Sequence, residues 1–336
     1  MPYLWAGAEE MATFKMEPQN KHRRYFQIAG ITVRVESDLD FDTVKFKKEL
    51  AQFAVAGPGD ANVTIRHYFE LPDMKDKDLG KELYRKPLWA ISRKNGTWYY
   101  RTLPLDGGDR PWHRVAIFSA DHTQGTIYSP PSKEAEIRAE GWESLSLFTT
   151  DQIWLAPLLA DRHAALLHSA AVILNGQGLL FVGHSEAGKS TTVTMLKNAR
   201  RGDHTGLPLQ IEILCDDRNI VRRWSPPLLA TGEGQGGGGW RVHGTWSHGD
   251  VADVSSVSAP LRAILFLQKD TRNQITPLTD RKEIWKRLLA TLIKPMVTAD
   301  WWQKEIDVLA QVVNEVPCYT MHFDKSGAIV DGLATL

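Results

Sequence analysis

The segment "GLLFVGHSEAGKSTTVTMLKNA", residues 178–199, is the most informative part of this chain. It begins with the apolar composition of a buried strand and ends with the pattern of a helix. Between them, Gly183, Gly188, Lys189 and Ser190 match GxxxxGK[ST] without a gap. Such a loop points successive backbone N–H groups inward and ends at a helix N-terminus, where polyphosphate groups bind. The sequence therefore predicts a phosphate-binding loop for a nucleotide.

Residues of this loop have separate predicted roles. We expect the ammonium group of Lys189 to reach the β- and γ-phosphates of ATP, and the hydroxyl of Ser190 to bind Mg²⁺. A plain glycine turn, capped by Ser190 and Thr191, is the structural alternative. The predicted nucleotide-binding residues are Gly183, His184, Ser185, Glu186, Ala187, Gly188, Lys189, Ser190 and Thr191.

Two adjacent carboxylates follow the next apolar strand, "QIEILC". Side chains of neighbouring residues at the end of a strand point in different directions. One of Asp216 and Asp217 can therefore hold Mg²⁺ while the other faces an acceptor hydroxyl. A solvated turn, with Arg218 and Asn219 as local partners, is the alternative interpretation.

A histidine and an arginine are expected to complete the site. His168 lies fifteen residues before Gly183 and precedes the strand pair that leads into the loop. It is predicted to tune or protonate the acidic pair, and a core histidine with satisfied hydrogen bonds is the alternative interpretation. His243 is interpreted as part of a mobile glycine-rich loop, where a plain loop residue is favoured over a residue that lines the acceptor site. An arginine would neutralise charge during transfer, and the candidates are Arg218, Arg241 and Arg262.

Composition argues against several classes of partner. The 336 residues include 40 basic and 40 acidic side chains, so no overall field attracts nucleic acid or an anionic membrane. The two cysteines, Cys215 and Cys318, have no metal-binding spacing and fit a reducing compartment. Glu9 and Glu10 stand where a secretory signal needs an apolar core. We therefore expect a cytoplasmic protein in which phosphate chemistry is confined to a local site.

The first part of the chain has the period of strands. Ile31 and Val33 alternate with polar neighbours, and Asn95-Gly96 is typical of a tight hairpin turn. This pattern predicts an antiparallel, mostly β domain over residues 1–145. Its expected role is to shape or present the acceptor, or to interact with a partner.

The second part alternates strands and helices. "NGQG" at 175–178 predicts a hairpin into the phosphate loop, and "LRAILFL" is typical of a strand buried on both faces. The glycine-rich stretch at 232–246 is interpreted as a loop. Asp280 and Glu283 are expected to form a capping box. Overall the fold class is predicted to be α/β (α+β), with a nucleotide-binding P-loop domain over residues 146–336.

These features together resemble the HPr kinase/phosphorylase family, and more narrowly its HPr-kinase-like serine kinases. The resemblance covers about residues 150–330 and rests on His168, "GHSEAGKST", the aspartate pair, "HGTW" and "LRAILFL". It implies the P-loop fold of phosphoenolpyruvate carboxykinases, ATP with Mg²⁺, and phosphate transfer to a serine hydroxyl. In that family the upstream histidine assists and one aspartate deprotonates the hydroxyl. Carried over, this favours Asp216 as the base and Asp217 as the metal ligand.

The chain also departs from the family pattern. Thr191 stands where true HPr kinases have an acidic residue, and Glu186 replaces a loop glycine. The segment between Lys189 and Asp216 is longer than the family norm, and the HPr-docking motifs are not visible. The expected acceptor is therefore another serine-containing peptide, protein or small molecule. A nucleotide-binding switch or scaffold with little turnover is the alternative function, and a homo-oligomer is compatible with either.

Overall fold

The computed structural model has a mixed α+β fold that divides into two compact units. Unit 1 comprises Met1–Leu158 and Met296–Thr298, and unit 2 comprises Leu159–Pro295 and Ala299–Leu336. The described parts of each unit contain one large β-sheet. The structure describes residues 22–59, 62–74, 77–86, 88–103, 113–146, 148, 151–199, 209–224, 239–294 and 298–336.

Unit 1 is built mainly from strands. They are β1 (His22–Ile28), β2 (Ile31–Ser37), β3 (Ala54–Val55), β4 (Asn62–Tyr68), β5 (Lys81–Lys86), β6 (Trp89–Lys94), β7 (Thr97–Thr102), β8 (Val115–Phe118) and β9 (Gln124–Tyr128). These nine strands form one sheet in the order β3-β1-β2-β4-β9-β8-β7-β6-β5. The helices are α1 (Lys48–Ala51) and α2 (Pro131–Glu140).

Unit 1 is mostly β, as predicted, but its sheet is mixed, so the prediction that it is antiparallel was wrong. β2 pairs in parallel with β4, and β4 pairs in parallel with β9. Alternating apolar residues such as Ile31 and Val33 show which face of a strand is buried, and both are fully buried. They do not show the direction of the neighbouring strand. The predicted hairpin between β6 and β7 is confirmed, since Asn95 and Gly96 have φ angles of 47° and 87°.

Unit 2 alternates strands with helices. Its boundary with unit 1 falls within α3 (Gln152–Ala160). The strands are β10 (Ala164–Leu174), β11 (Gln177–Val182), β12 (Ile211–Cys215), β13 (Arg218–Trp224), β14 (Gly239–Gly244), β15 (Ser258–Lys269), β16 (Gln274–Pro277) and β17 (Cys318–Phe323). The helices are α4 (Lys189–Ala199), α5 (Arg281–Thr291), α6 (Ala299–Glu315) and α7 (Ile329–Ala334).

The sheet of unit 2 places the phosphate-loop strand between two neighbours. Its order is β11-β10-β13-β14-β15-β17-β16, with β12 also paired to β10, and β11 pairs in parallel with β15. β10 pairs with β13 up to His168 and with β11 from Ser169 onward. The predicted β10–β11 hairpin is confirmed, with Asn175 and Gly176 at φ angles of 50° and 80°.

Apolar side chains on both faces of the central strands form the core of unit 2. Phe181 of β11 and Leu265 of β15 pack in one cluster with Val193 and Leu196 of α4. This cluster holds the helix that follows the phosphate loop against the strand that precedes it. The prediction that "LRAILFL" is a doubly buried strand is supported by its run of buried residues within β15.

Part of the predicted glycine-rich loop is a strand instead. Residues 239–244 form β14, which pairs with β13 and β15, while 225–238 lie outside the described residues. Trp240 and Val242 are buried on either side of the half-buried Arg241, so their packing outweighs the local preference of glycine for a loop.

Half of the predicted capping box of α5 is observed. The carboxylate of Asp280 accepts hydrogen bonds from the backbone N–H groups of Lys282 and Glu283, at 2.9 and 3.3 Å. The carboxylate of Glu283 pairs with Arg287, one turn later, instead of reaching back to the N–H of Asp280, so the reciprocal bond of a capping box was predicted wrongly. Within the described ranges, no helix is long and apolar enough to cross a membrane.

Candidate active site

The predicted phosphate loop joins β11 to α4. β11 ends at Val182 and α4 begins at Lys189. At Gly188, φ is +103°, and an added Cβ atom would lie 2.7 Å from the ring of Phe323. At Gly183, an added Cβ atom would lie 2.5 Å from the Cβ atom of Ala187. A residue with a Cβ atom does not fit at either position, because the backbone lies too close to neighbouring side chains.

Lys189 folds back over the loop. Its Nζ atom donates hydrogen bonds to the carbonyl oxygens of Gly183 and His184, both at 3.1 Å. Burial lowers the pKa of Lys189, and the nearby charges of Asp217 and Asp216 oppose this shift. The ammonium group is thus held at the mouth of the loop, next to the first-turn N–H groups of α4, which have no partner within the helix.

His168 of β10 contacts Asp217, which lies in the turn between β12 and β13. The Nδ1 atom of His168 lies 2.9 Å from Oδ1 of Asp217, and the guanidinium group of Arg218 contacts Oδ2. Burial opposes ionisation of Asp217, but the hydrogen bond from His168 and the charges of Arg218, His168 and Lys189 outweigh it, so the pKa of Asp217 is lowered. The geometry therefore keeps this carboxylate charged and oriented.

Asp216 has a different environment from its neighbour. It is 1% exposed, and its two carboxylate oxygens accept hydrogen bonds from the backbone N–H groups of Gly249 and Val251, at 2.6 and 2.9 Å. Asp217, with 16% of its side chain exposed, is more accessible. These contacts suit Asp216 to hold the 249–251 segment, whereas the sequence favoured it as the base.

The three candidate arginines differ in their hydrogen-bond partners. Arg218 lies at Asp217 and also donates a 2.7 Å hydrogen bond to the hydroxyl of Ser247. Arg241 donates to Ser258, and Arg262 donates to the main-chain carbonyl of Leu336. Of these three, Arg218 is the one at the aspartate pair.

One pocket of about 420 Å³ brings most of the predicted site residues together. Gly183, His184 and Ala187 belong to the loop but do not line this pocket. Gly249, Asp250 and Lys269 line it and were not predicted. Its lining residues are His168, Ser185, Glu186, Gly188, Lys189, Ser190, Thr191, Asp216, Asp217, Gly249, Asp250 and Lys269.

Little in the sequence could have identified these additional residues. Lys269 ends an apolar strand that was predicted, but its place beside the loop depends on the parallel pairing of β15 with β11. Asp250 and Gly249 follow "HGTW" in a polar segment of the chain, and the hydrogen bonds to Asp216 bring that segment to the loop. Pairing between distant segments of a chain is not visible in local sequence patterns.

The residues present fit a magnesium-bound polyphosphate. The glycine-dependent loop, the Lys189 ammonium group and the helix N-terminus match phosphate oxygens. The Ser190 hydroxyl and one pocket carboxylate are suitable Mg²⁺ ligands, and nucleotide-bound Mg²⁺ takes its other ligands from phosphate and water. No group of three or more His, Cys, Asp or Glu side chains in the described part of the chain is arranged to hold a metal ion.

His243 lies in a strand rather than in a mobile loop, which corrects that interpretation. It belongs to β14, is 4% exposed and does not line the pocket. Burial lowers the pKa of His243 to about 3, and the positive charges of Arg241 and Arg222 add to the shift. The imidazole is therefore neutral at physiological pH.

Comparison with known proteins adds no assignment to this geometry. No protein-family model matches the chain, and no curated protein matches it significantly.

Proposed function

We propose that this protein is a kinase that uses Mg²⁺ and ATP to phosphorylate a serine-type hydroxyl on a peptide, protein or small molecule. In this proposal unit 2 is a P-loop nucleotide domain of the HPr kinase type. The observation that carries the proposal is the convergence of Lys189 of the loop with the His168–Asp217 pair in one pocket. A phosphate site beside an oriented carboxylate is the arrangement that phosphoryl transfer requires.

The reaction would exchange one phosphorus–oxygen bond for another. The bond between the γ-phosphorus and ADP breaks, and a bond from phosphorus to the acceptor oxygen forms. Lys189 and the N–H groups of the loop would bind the phosphates, and Ser190 would bind Mg²⁺, which supplies further neutralisation of phosphate charge. Catalysis of this kind depends mostly on positioning and electrostatics.

Asp217 is the residue we assign to the acceptor proton. It would accept a hydrogen bond from the hydroxyl, and the proton would move to its carboxylate as the new bond forms. A carboxylate with a lowered pKa is a weak base, but it can still accept this proton. In a loose transition state the bond to the acceptor oxygen has barely formed, so little proton transfer has to take place before it. His168 would hold Asp217 in position, and Asp216 would position the 249–251 segment.

Pocket charge explains why a divalent cation would be needed. The lining includes four carboxylates, on Glu186, Asp216, Asp217 and Asp250, and two lysine ammonium groups, on Lys189 and Lys269. Polyphosphate would therefore enter a site with an excess of negative side chains. Mg²⁺ bound with the nucleotide offsets this excess.

Phosphorus NMR tests the proposal directly. Protein with Mg²⁺ and ATP is incubated alone, with free serine, with short serine peptides and with a small-molecule extract. A phosphate ester should appear with one additive and be absent for Lys189→Ala and Asp217→Asn. Asp300→Asn is the matched control, because Asp300 forms an exposed ion pair with Lys304 on α6. An ester that persists in Lys189→Ala would contradict the proposed site.

A nucleotide-operated switch is the second candidate. The observation that favours it is the pair of hydrogen bonds from Gly249 and Val251 to Asp216, which links the pocket to a neighbouring segment. In a switch, Asp217→Asn would leave nucleotide affinity unchanged, and the wild-type protein would form no ester with any additive. Ester formation by the wild type would exclude a pure switch.

A further inference from the structure

Lys269 is a cation in the pocket that the phosphate-loop pattern does not include. It is the last residue of β15, the strand that runs parallel to β11. Val182, the last residue of β11, pairs with Phe266, three positions before Lys269. Since parallel strands end at the same edge of a sheet, Lys269 lies at the edge from which the phosphate loop emerges.

The neighbouring strand shows that Lys269 faces the loop. Lys269 pairs with Phe323 of β17, and residues side by side in a sheet project from the same face. The ring of Phe323 lies under Gly188, within 2.7 Å of where a Cβ atom would stand. Lys269 is therefore on the loop side of the sheet, consistent with its place in the pocket lining.

The acidic residue next to Lys269 does not neutralise it. Asp270 binds the guanidinium group of Arg272 at 2.9 Å and His322 at 3.1 Å. His322 pairs with Gln268, so it projects from the opposite face to Phe323. Among the described residues Lys269 itself is exposed and has no ion pair within 4.0 Å.

We propose that Lys269 binds the terminal phosphate of a nucleoside triphosphate and so makes the site prefer ATP to ADP. The inference rests on the proposed nucleotide site in unit 2. Lys189 would bind phosphate from within the loop, where two loop carbonyls hold its ammonium group, and Arg218 is engaged by Asp217 and Ser247. Lys269 is a second lysine of the pocket, on a neighbouring strand and without an ion pair among the described residues, so it is available to the end of the polyphosphate chain.

Calorimetric titration in the presence of Mg²⁺ tests this assignment. The ligands are ADP and an ATP analogue with a β,γ-methylene bridge, which cannot be hydrolysed. For Lys269→Met we expect a loss of about tenfold in affinity for the analogue, equivalent to about 1.4 kcal/mol, and a loss of less than about twofold for ADP. Lys269→Arg should retain most of the preference because it keeps the charge.

Controls separate this inference from the proposed function. Lys286→Met on α5 removes an exposed lysine outside the pocket and should change neither affinity. Suppose that Lys189→Ala abolishes binding of both ligands. If Lys269→Met then leaves both affinities unchanged, or lowers the affinities for the analogue and for ADP equally, the role of Lys269 is overturned while the nucleotide site stands. If the wild type binds neither ligand, or Lys189→Ala binds both as the wild type does, the nucleotide site fails and this inference fails with it.

Discussion

Oδ1 of Asp216 accepts a 2.6 Å hydrogen bond from the backbone N–H of Gly249, thirty-three residues away. The second oxygen of Asp216 accepts from Val251, so Asp216→Asn would leave one of the two N–H groups facing an amide NH₂. We expect a loss of about 1–3 kcal/mol in the free energy of unfolding, measured by urea denaturation.

Asp217→Asn provides the contrast, because both aspartates line the pocket but the carboxylate of Asp217 is the more exposed of the two. This variant should lose phosphoryl transfer with a smaller loss of stability than Asp216→Asn. If Asp216→Asn is as stable as the wild type but inactive, then Asp216 is the base, as the family resemblance favoured.

His168→Gln should change the pH dependence of the proposed reaction. Burial tends to raise the pKa of Asp217, and the hydrogen bond from His168 is the first of the interactions that lower it. Without the imidazole the pKa rises, so the acid limb of the kcat/KM profile should move to higher pH. Because the wild-type limb lies below the usual aspartate pKa of about 3.9, the profile is measured from about pH 3 to about pH 8, and an acid limb at the same pH in both proteins would show that His168 does not act through Asp217.

Glu186→Gly should strengthen nucleotide binding. Glu186 lines the pocket with a φ angle of +67°, a conformation that favours glycine. The substitution removes a negative charge near the phosphates, so we expect tighter binding of ADP with Mg²⁺ in calorimetry. It also removes backbone strain of about 1 kcal/mol, which should raise the free energy of unfolding rather than the affinity. Glu186→Gln removes the charge alone, and an affinity for ADP equal to that of the wild type in both variants would contradict the charge effect.

Glu305 should make the stability of the protein fall as pH rises. It is 1% exposed on α6, and neither carboxylate oxygen has a hydrogen-bond partner among the described residues. Burial raises the pKa of Glu305 well above its usual value. The folded state therefore retains a proton that the unfolded state releases above about pH 4.3, and each pH unit in this window costs about 1.4 kcal/mol.

Glu305→Gln is neutral and similar in shape, so it should lack this dependence. Urea denaturation at pH 5 and pH 8 measures the effect. The stability of the wild type relative to Glu305→Gln should decrease between the two pH values. Parallel pH profiles for the two proteins would show that Glu305 ionises normally.

Local sequence patterns were sufficient to predict the two hairpins, the N-cap of α5 and the position of the glycine-rich loop between β11 and α4. Asn95-Gly96 and Asn175-Gly176 adopt the positive φ angles that their residue types tolerate. Asp280 caps α5 because its short carboxylate reaches the first free N–H groups of the helix. Each of these features depends on a few consecutive residues, so its physical cause is contained in the local sequence.

Pairing between distant segments could not be predicted in the same way. The direction of β4, the strand at 239–244 and the place of Lys269 beside the loop all depend on which strands become neighbours. Strand neighbours are selected by burial of apolar faces over the whole unit, which no short window of sequence contains.

The aspartate pair shows most clearly which properties follow from the local sequence and which depend on the tertiary structure. From the sequence it could be inferred that two carboxylates follow a buried strand near a phosphate loop. Their different environments come from long-range contacts: backbone N–H groups of the 249–251 segment surround Asp216, while His168 from β10 meets Asp217. Chemically identical neighbours acquire different environments because their hydrogen bonds and burial are supplied by residues remote in the chain.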